Sequence, residues 1–268
     1  HQLIEHYKLA WNNNFFLNNG GRIGITLGYQ QNIRKEFEDV LNPATPGLYF
    51  LLLTYNYDLK YFFPQVSGWQ FTAGVNGMQQ DNRNKGNAYL IPAYNLFDGG
   101  VYLMGKKDWN KLSVSGGARY NYRKINAQAL FLDSAGEAVP QPAINDYKQF
   151  AAFNTSFSNA VGSIGLSYTL ARRTFLKFNV ASGFRAPNIA ELAANGVHEG
   201  TIRYEYGNTA LKAENSIQTD LGLSWSSDHI LADASVFYNY IANYIYIQKL
   251  VTANGSDSIP SLHDEEGY

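Results

Sequence analysis

The feature that most constrains this chain is a period of two in its side chains, held over runs of about twelve residues. Leu176, Phe178, Val180, Ser182 and Phe184 fall on one face of such a run, and Lys177, Asn179, Ala181, Gly183 and Arg185 on the other. After a polar segment, Ile217, Thr219, Leu221, Leu223 and Trp225 oppose Ser216, Gln218, Asp220, Gly222 and Ser224. Beyond the turn Ser226-Ser227-Asp228-His229, a third run places Val236, Tyr238, Tyr240, Ala242, Tyr244 and Tyr246 opposite Asp233, Ser235, Asn239 and Asn243. Successive side chains of an extended backbone point to opposite faces, so each run is a strand. One face is rich in rings and carries no charge; the other is wet.

The rest of the chain repeats the pattern. Tyr7, Leu9, Trp11 and Phe15 share a face of the first strand, and Asn18-Asn19-Gly20-Gly21 is a hairpin signal because Asn and Gly accept positive φ. Ile23 to Tyr29, Tyr49 to Leu59, Trp69 to Val75, Phe97 to Leu103 and Leu112 to Tyr122 supply the next apolar faces. Lys106-Lys107-Asp108-Trp109-Asn110 reads as a tight turn, and a loop with Pro140 and Pro142 spans residues 132–146. Ile164, Leu166, Tyr168 and Leu170 are in phase with each other but not with Phe153 and Phe157, which predicts a bulge near Ser158 to Val161. Ile189 to Ala194 suits a short helical turn. Ten strands result, joined by connections that alternate short and long, the rhythm of an up-and-down meander.

A soluble sandwich also alternates, hiding its apolar face in a dry core. Charged residues are only 16% of the 268, well under the usual quarter, and aromatics reach 15%. Low charge, Tyr and Trp near strand ends, and loops long at one end favour a transmembrane barrel with an aromatic girdle. No run approaches the ~18 apolar residues of a membrane helix, which does not touch a barrel. The net charge of −1 gives no argument for nucleic acid, and the absence of cysteine excludes disulfides and thiolate sites. There is no Gly-x-Ser-x-Gly elbow, phosphate-binding glycine loop or His-Glu-x-x-His. Neither end reads as a natural terminus, so the expectation is one domain, residues 1–268, cut from a longer barrel.

Gly183-Phe184-Arg185-Ala186-Pro187, followed by Asn188-Ile189-Ala190-Glu191-Leu192, resembles a box of the TonB-dependent outer-membrane receptors. A second box of that family resembles Gly207-Asn208-Thr209-Ala210-Leu211-Lys212-Ala213-Glu214, with Thr209 and Ala213 standing where prolines are common. The likeness runs from about Phe175 to Leu250. It implies an all-β, antiparallel up-and-down transmembrane barrel of which these are about ten of 22 strands, the plug lying outside the chain. It also implies a Gram-negative outer-membrane location. The activity implied is active uptake of a metal chelate such as a ferric siderophore, haem or zinc. The partners implied are outer-membrane lipid, the small metal-chelate ligand and, through the plug, the energy-coupling protein TonB. No cofactor and no catalysis are implied, and the oligomeric state is left open.

Within that resemblance, His198 is a candidate ligand of metal or haem and Glu199 could add an oxygen, imidazole suiting both Zn and Fe; a plain surface-loop histidine is the alternative. Arg119, Arg123 and Arg185 either form a basic strip facing an anionic chelate or the plug, or pair with acids such as Asp58 and Asp220. Phe184, Arg185, Ala186, Pro187, Asn208 and Leu211 are motif residues with structural roles, Arg185 as a donor to loop backbone. Two rivals stay open: a ten-stranded outer-membrane protease, whose strand count matches, and a surface-binding or adhesin barrel.

Overall fold

The computed structural model describes residues 1–37, 41–198 and 203–250. Ten long strands make one sheet: β1 (Gln2–Phe16), β2 (Arg22–Glu36), β3 (Leu48–Phe62), β4 (Trp69–Asn84), β5 (Tyr94–Asp108), β6 (Leu112–Ala127), β10 (Phe153–Ala171), β11 (Thr174–Arg185), β14 (Glu214–Ser226) and β15 (Leu231–Ala242). Between them lie β7 (Leu130–Leu132), β8 (Ala138–Val139) and β9 (Tyr147–Phe150), a helix α1 (Ile189–Ala193), and the pair β12 (Asn195–His198) and β13 (Arg203–Tyr206). Each long strand pairs antiparallel with the long strand before it, in the order β1-β2-β3-β4-β5-β6-β10-β11-β14-β15. This is the up-and-down meander that the alternating connections predict.

The first turn shows how local chemistry starts it. Gly20 takes φ +81°, which a side chain would resist, and the Asn19 side chain accepts the Gly21 N–H at 2.9 Å. Short turns of this kind occupy residues 17–21, 63–68, 109–111, 172–173 and 227–230 at one end of the sheet. Residues 37–47, 85–93, 128–152 and 186–213 form the long connections at the other. Lys106 and Lys107 belong to β5, so the third turn is narrower than its residue types suggest.

Phe178, Leu221 and Tyr238 are 38%, 45% and 69% exposed, and Leu223, Val236 and Tyr240 on the same face are exposed with them. Among the described residues, nothing covers this ring-rich part of the sheet. Water would be a costly neighbour for so much apolar surface, at ~25 cal/mol per Å², whereas hydrocarbon is a matched one. The opposite face carries Gln30, Asn56, Gln80, Asn121, Asn179 and Gln218, with side-chain hydrogen bonds running between and along strands, such as Gln30 to Asn56 at 3.0 Å and Gln80 to Thr54 at 3.2 Å. No helix of the described residues is long and apolar enough to cross a membrane, which says nothing of crossing by strands.

Three sequence expectations fail here. The pairing of β10 with β6 runs without a shift from Phe153 to Tyr168, so there is no bulge at Ser158 to Val161; the irregularity lies between Thr169 and Ala171, against β11. Phe153 and Phe157 keep the inward phase because the inner face turns apolar at the long-loop end. There Tyr94, Leu96, Ile125, Ala127, Ile189 and Leu192 form a buried cluster, with Phe153, Phe157 and Leu211 packed on it. Secondly, the last strand stops at Ala242. Asn243 adopts φ +56°, and Tyr244 and Tyr246 leave the sheet instead of continuing its outer face. The 128–152 connection is not bare loop either, since β8, β7 and β9 make a small sheet of their own.

Candidate functional site

The site grows from the exit of β11. Arg185 is the last residue of that strand and lies in register with Glu214, the first of β14, on the inward face. The chain then turns through Ala186 and Pro187, both buried, and α1 begins. Asn188 caps the helix: its side chain accepts the Glu191 N–H at 2.9 Å, while the Glu191 carboxylate accepts the Asn188 N–H at 2.8 Å. The reciprocal bonds hold Glu191 so that both its oxygens meet Arg185 Nη1, at 2.8 and 2.9 Å. The remaining edge of the guanidinium takes Glu214 in a fork, Nε to Oε2 at 2.7 Å and Nη2 to Oε1 at 2.9 Å. Arg185 thus clamps two carboxylates and, among the described residues, does not bond loop backbone as its sequence context suggests.

The second box closes on the first. The Asn208 N–H donates to Glu191 O at 2.8 Å, and the Asn208 side chain accepts the Ala210 N–H at 2.9 Å, turning the chain so that Leu211 reaches the buried cluster. Gly207 passes so close to α1 that a β-carbon would stand 2.2 Å from Ala193 N, which no side chain can do. Glu214 Oε1 also accepts the Ile245 N–H at 2.7 Å, and the Asn243 side chain donates to Ala213 O at 3.2 Å. These bonds fold the segment after β15 back over the hub. A cavity of about 610 Å³ lies between that segment and α1, lined among others by Glu191, Tyr206, Asn208, Leu211, Tyr244 and Tyr246.

Beside it, three long connections are tied into one layer. The Gln149 side chain donates to Tyr89 O at 3.2 Å and to Asn195 O, and the Asn195 side chain returns a bond to Gln149 O at 2.6 Å. Tyr204 Oη donates to Asn195 Oδ1 at 3.0 Å. Burial pushes the Tyr89 phenol in this layer above its ordinary pKa. Nothing in the residue types of Gln149 or Asn195 marks them out beforehand; the only hint is that both stand in connections too long for plain turns.

The inward arginines separate. Arg123 pairs with Asp98 at 2.8 Å, the residue opposite it in register, and neither Asp58 nor Asp220 is its partner. Asp58 instead holds Lys60 at 2.7 Å, and Asp220 accepts from Asn179 and Gln218. Arg119 donates to the Asn121 side chain and lies 5.9 Å from the Tyr102 ring, with no ion pair among the described residues. The lumen therefore offers Arg119 as a cation and Arg123 as a neutralised one. His198 ends β12 opposite Arg203. Its side chain and Glu199 lie outside the described residues, among which no group of three or more His, Cys, Asp and Glu could hold a metal ion.

The family model described as "TonB dependent receptor-like, beta-barrel" matches residues 4–262. The chain belongs to the TonB-dependent receptor family. It is 29% identical over 126 residues to the ferric enterobactin receptor of Pseudomonas aeruginosa, covering 44% of this chain and 17% of that receptor. Among solved structures it is similar to the ferric-catecholate import receptor Fiu of E. coli K12, with TM-score 0.62, 15% identity, and coverage of 95% of this chain and 42% of that one. It is also similar to the FrpB iron transporter of Neisseria meningitidis, with TM-score 0.61, 14% identity, and coverage of 89% and 36%. The chain thus spans less than half of these relatives, and the structural likenesses establish the fold: an antiparallel up-and-down barrel sheet of ten strands.

Proposed function

We propose that this chain is part of the wall and long-loop layer of an outer-membrane receptor that imports a ferric siderophore, with TonB as its energy-coupling partner. The observation that carries this reading is the family match over residues 4–262, supported by the named cargo of its relatives. The geometry agrees with such a role. An unpartnered apolar face suits lipid, a polar inner face suits a wet passage, and the Arg185 hub braces the loops that would meet the cargo. Uptake is the activity and no catalytic step is proposed.

The test is accumulation of iron-55 presented as ferric enterobactin, by iron-starved cells whose only catecholate receptor is the full-length protein containing this chain. Uptake that stops when TonB is deleted or the proton gradient is collapsed supports the reading. Equal uptake with and without the receptor removes the cargo assignment.

We further propose that His198, with Glu199 beside it in sequence, and the lumenal Arg119 and Arg123 contact the cargo. Haem or zinc is the alternative cargo that His198 would favour. Titration of the intact His198→Ala receptor with ferric chelate, haem and zinc separates these. An affinity unchanged for all three takes His198 out of the site.

A further inference from the structure

Where the outer apolar band ends at the long-loop side of β2, β3 and β4, two lysines converge on one ring. Lys35 lies opposite Tyr49 in register, with its ammonium 4.9 Å from the ring centroid. Lys85 is anchored by its own N–H to Tyr49 O at 2.8 Å and sends its ammonium to 5.9 Å from the same centroid. Among the described residues neither lysine has a carboxylate partner, in contrast to Arg34, Lys60, Arg83, Lys106, Arg123, Arg173 and Arg185. Arg83 stands next to them, opposite Leu51, bonded to Asp81 at 3.0 Å.

The direction of these groups decides what they can meet. Lys35 and Tyr49 share the outer face with Ile33 and Leu51, each two residues, or about 7 Å, nearer the middle of the sheet. They face away from the lumen through which cargo would pass. They sit where hydrocarbon gives way to headgroups, on the side that the long loops assign to the outer leaflet. Two ammonium groups gathered at one ring, each with N–H donors to spare, match one phosphate better than one carboxylate.

We propose that Lys35, Lys85 and the Tyr49 ring form a binding site for the phosphorylated headgroup of an outer-leaflet lipid, with Arg83 at its edge. The mirror position supplies the control. Lys107 lies 5.0 Å from the Trp109 ring and 5.8 Å from the Trp69 ring at the short-turn end, against the other leaflet.

The test uses the full-length receptor containing this chain, delipidated in detergent and titrated with diphosphoryl lipid A and with the same lipid stripped of its phosphates. Native mass spectrometry reads occupancy, and heat-modifiable gel mobility confirms a folded barrel. The Lys35→Gln/Lys85→Gln receptor is expected to bind the phosphorylated lipid at least tenfold more weakly and the stripped lipid as wild type does. Lys107→Gln leaves both unchanged. Lys35→Arg/Lys85→Arg, which keeps both charges, retains the affinity. Equal binding by wild type and the Gln pair overturns the proposal, as does an equal loss for the stripped lipid or a loss in the Arg pair. Displacement of the lipid by equimolar inorganic phosphate would assign the site to a soluble anion and also overturn it.

Discussion

Two apolar regions of this molecule are built from similar side chains and meet opposite surroundings. On the outer face Leu221, Val236 and Tyr238 stand 45–69% exposed, with none of the described residues covering them. At the long-loop end of the inner face, Leu192 of α1 and Ile125 of β6 are wholly buried where α1 and the second box close over the sheet. The inner cluster is a small protein core that the chain closes by its own folding. The outer band is stable only when another solvent covers it. Apolar character alone therefore does not say which side of a strand faces protein. The hydrogen-bonded hub above it does, since Arg185, Glu191 and Glu214 pull α1 over one face and leave the other bare.

That contrast can be broken from either side. Leu192→Ala opens a cavity in the closed cluster and should cost ~2–5 kcal/mol of barrel stability, read by urea unfolding in bilayers. A cost below ~1 kcal/mol would mean the cluster collapses freely and is no core. Leu221→Arg places a charge in the outer band and should cost ~2–4 kcal/mol in the same assay, while Gln218→Arg on the inner face of the same strand stays near zero. Similar costs for the pair would erase the distinction between faces. Arg185→Ala leaves Glu191 and Glu214 without their cation. About 1–2 kcal/mol is expected, because 42% exposure of the arginine side chain trims what a charge-assisted pair gives. Limited proteolysis should then cut the 186–213 connection faster, and Arg185→Lys should restore only part of the protection because the fork is lost. Asn188→Ala removes one half of the capping box, with ~1 kcal/mol expected and the same proteolytic signature in weaker form.

The comparison also explains what could be read in the sequence. Alternation is a local property, so Phe178, Leu221 and Tyr238 announced an apolar face without saying what lies against it, and Ile189 to Ala194 announced a helical turn where α1 forms. The boxes around Arg185 and Asn208 marked the neighbourhood of the hub. The partners were not legible there, because Glu214 meets Arg185 through strand register across 29 positions, and Asp98 meets Arg123 in the same way across 25. Phe153 and Phe157 misled because an inward ring and a bulge leave the same mark on a pattern. Only the helix packed above them, more than thirty positions later, separates the two. Tyr244 and Tyr246 continue the period past Asn243, whose left-handed φ breaks the strand without changing the pattern.

The central claim is that hydrocarbon lies against the ring-rich face. The chain contains no cysteine, so single cysteines can be placed along β14 from Ser216 to Leu223 without removing any of its own. Spin labels on the full-length receptor in bilayers then report collision with oxygen, which dissolves in lipid, and with a nickel chelate, which stays in water. The account predicts oxygen maxima at positions 217, 219, 221 and 223 and nickel maxima at 216, 218, 220 and 222. The same period with the two reagents exchanged, or nickel access at both faces, would contradict it.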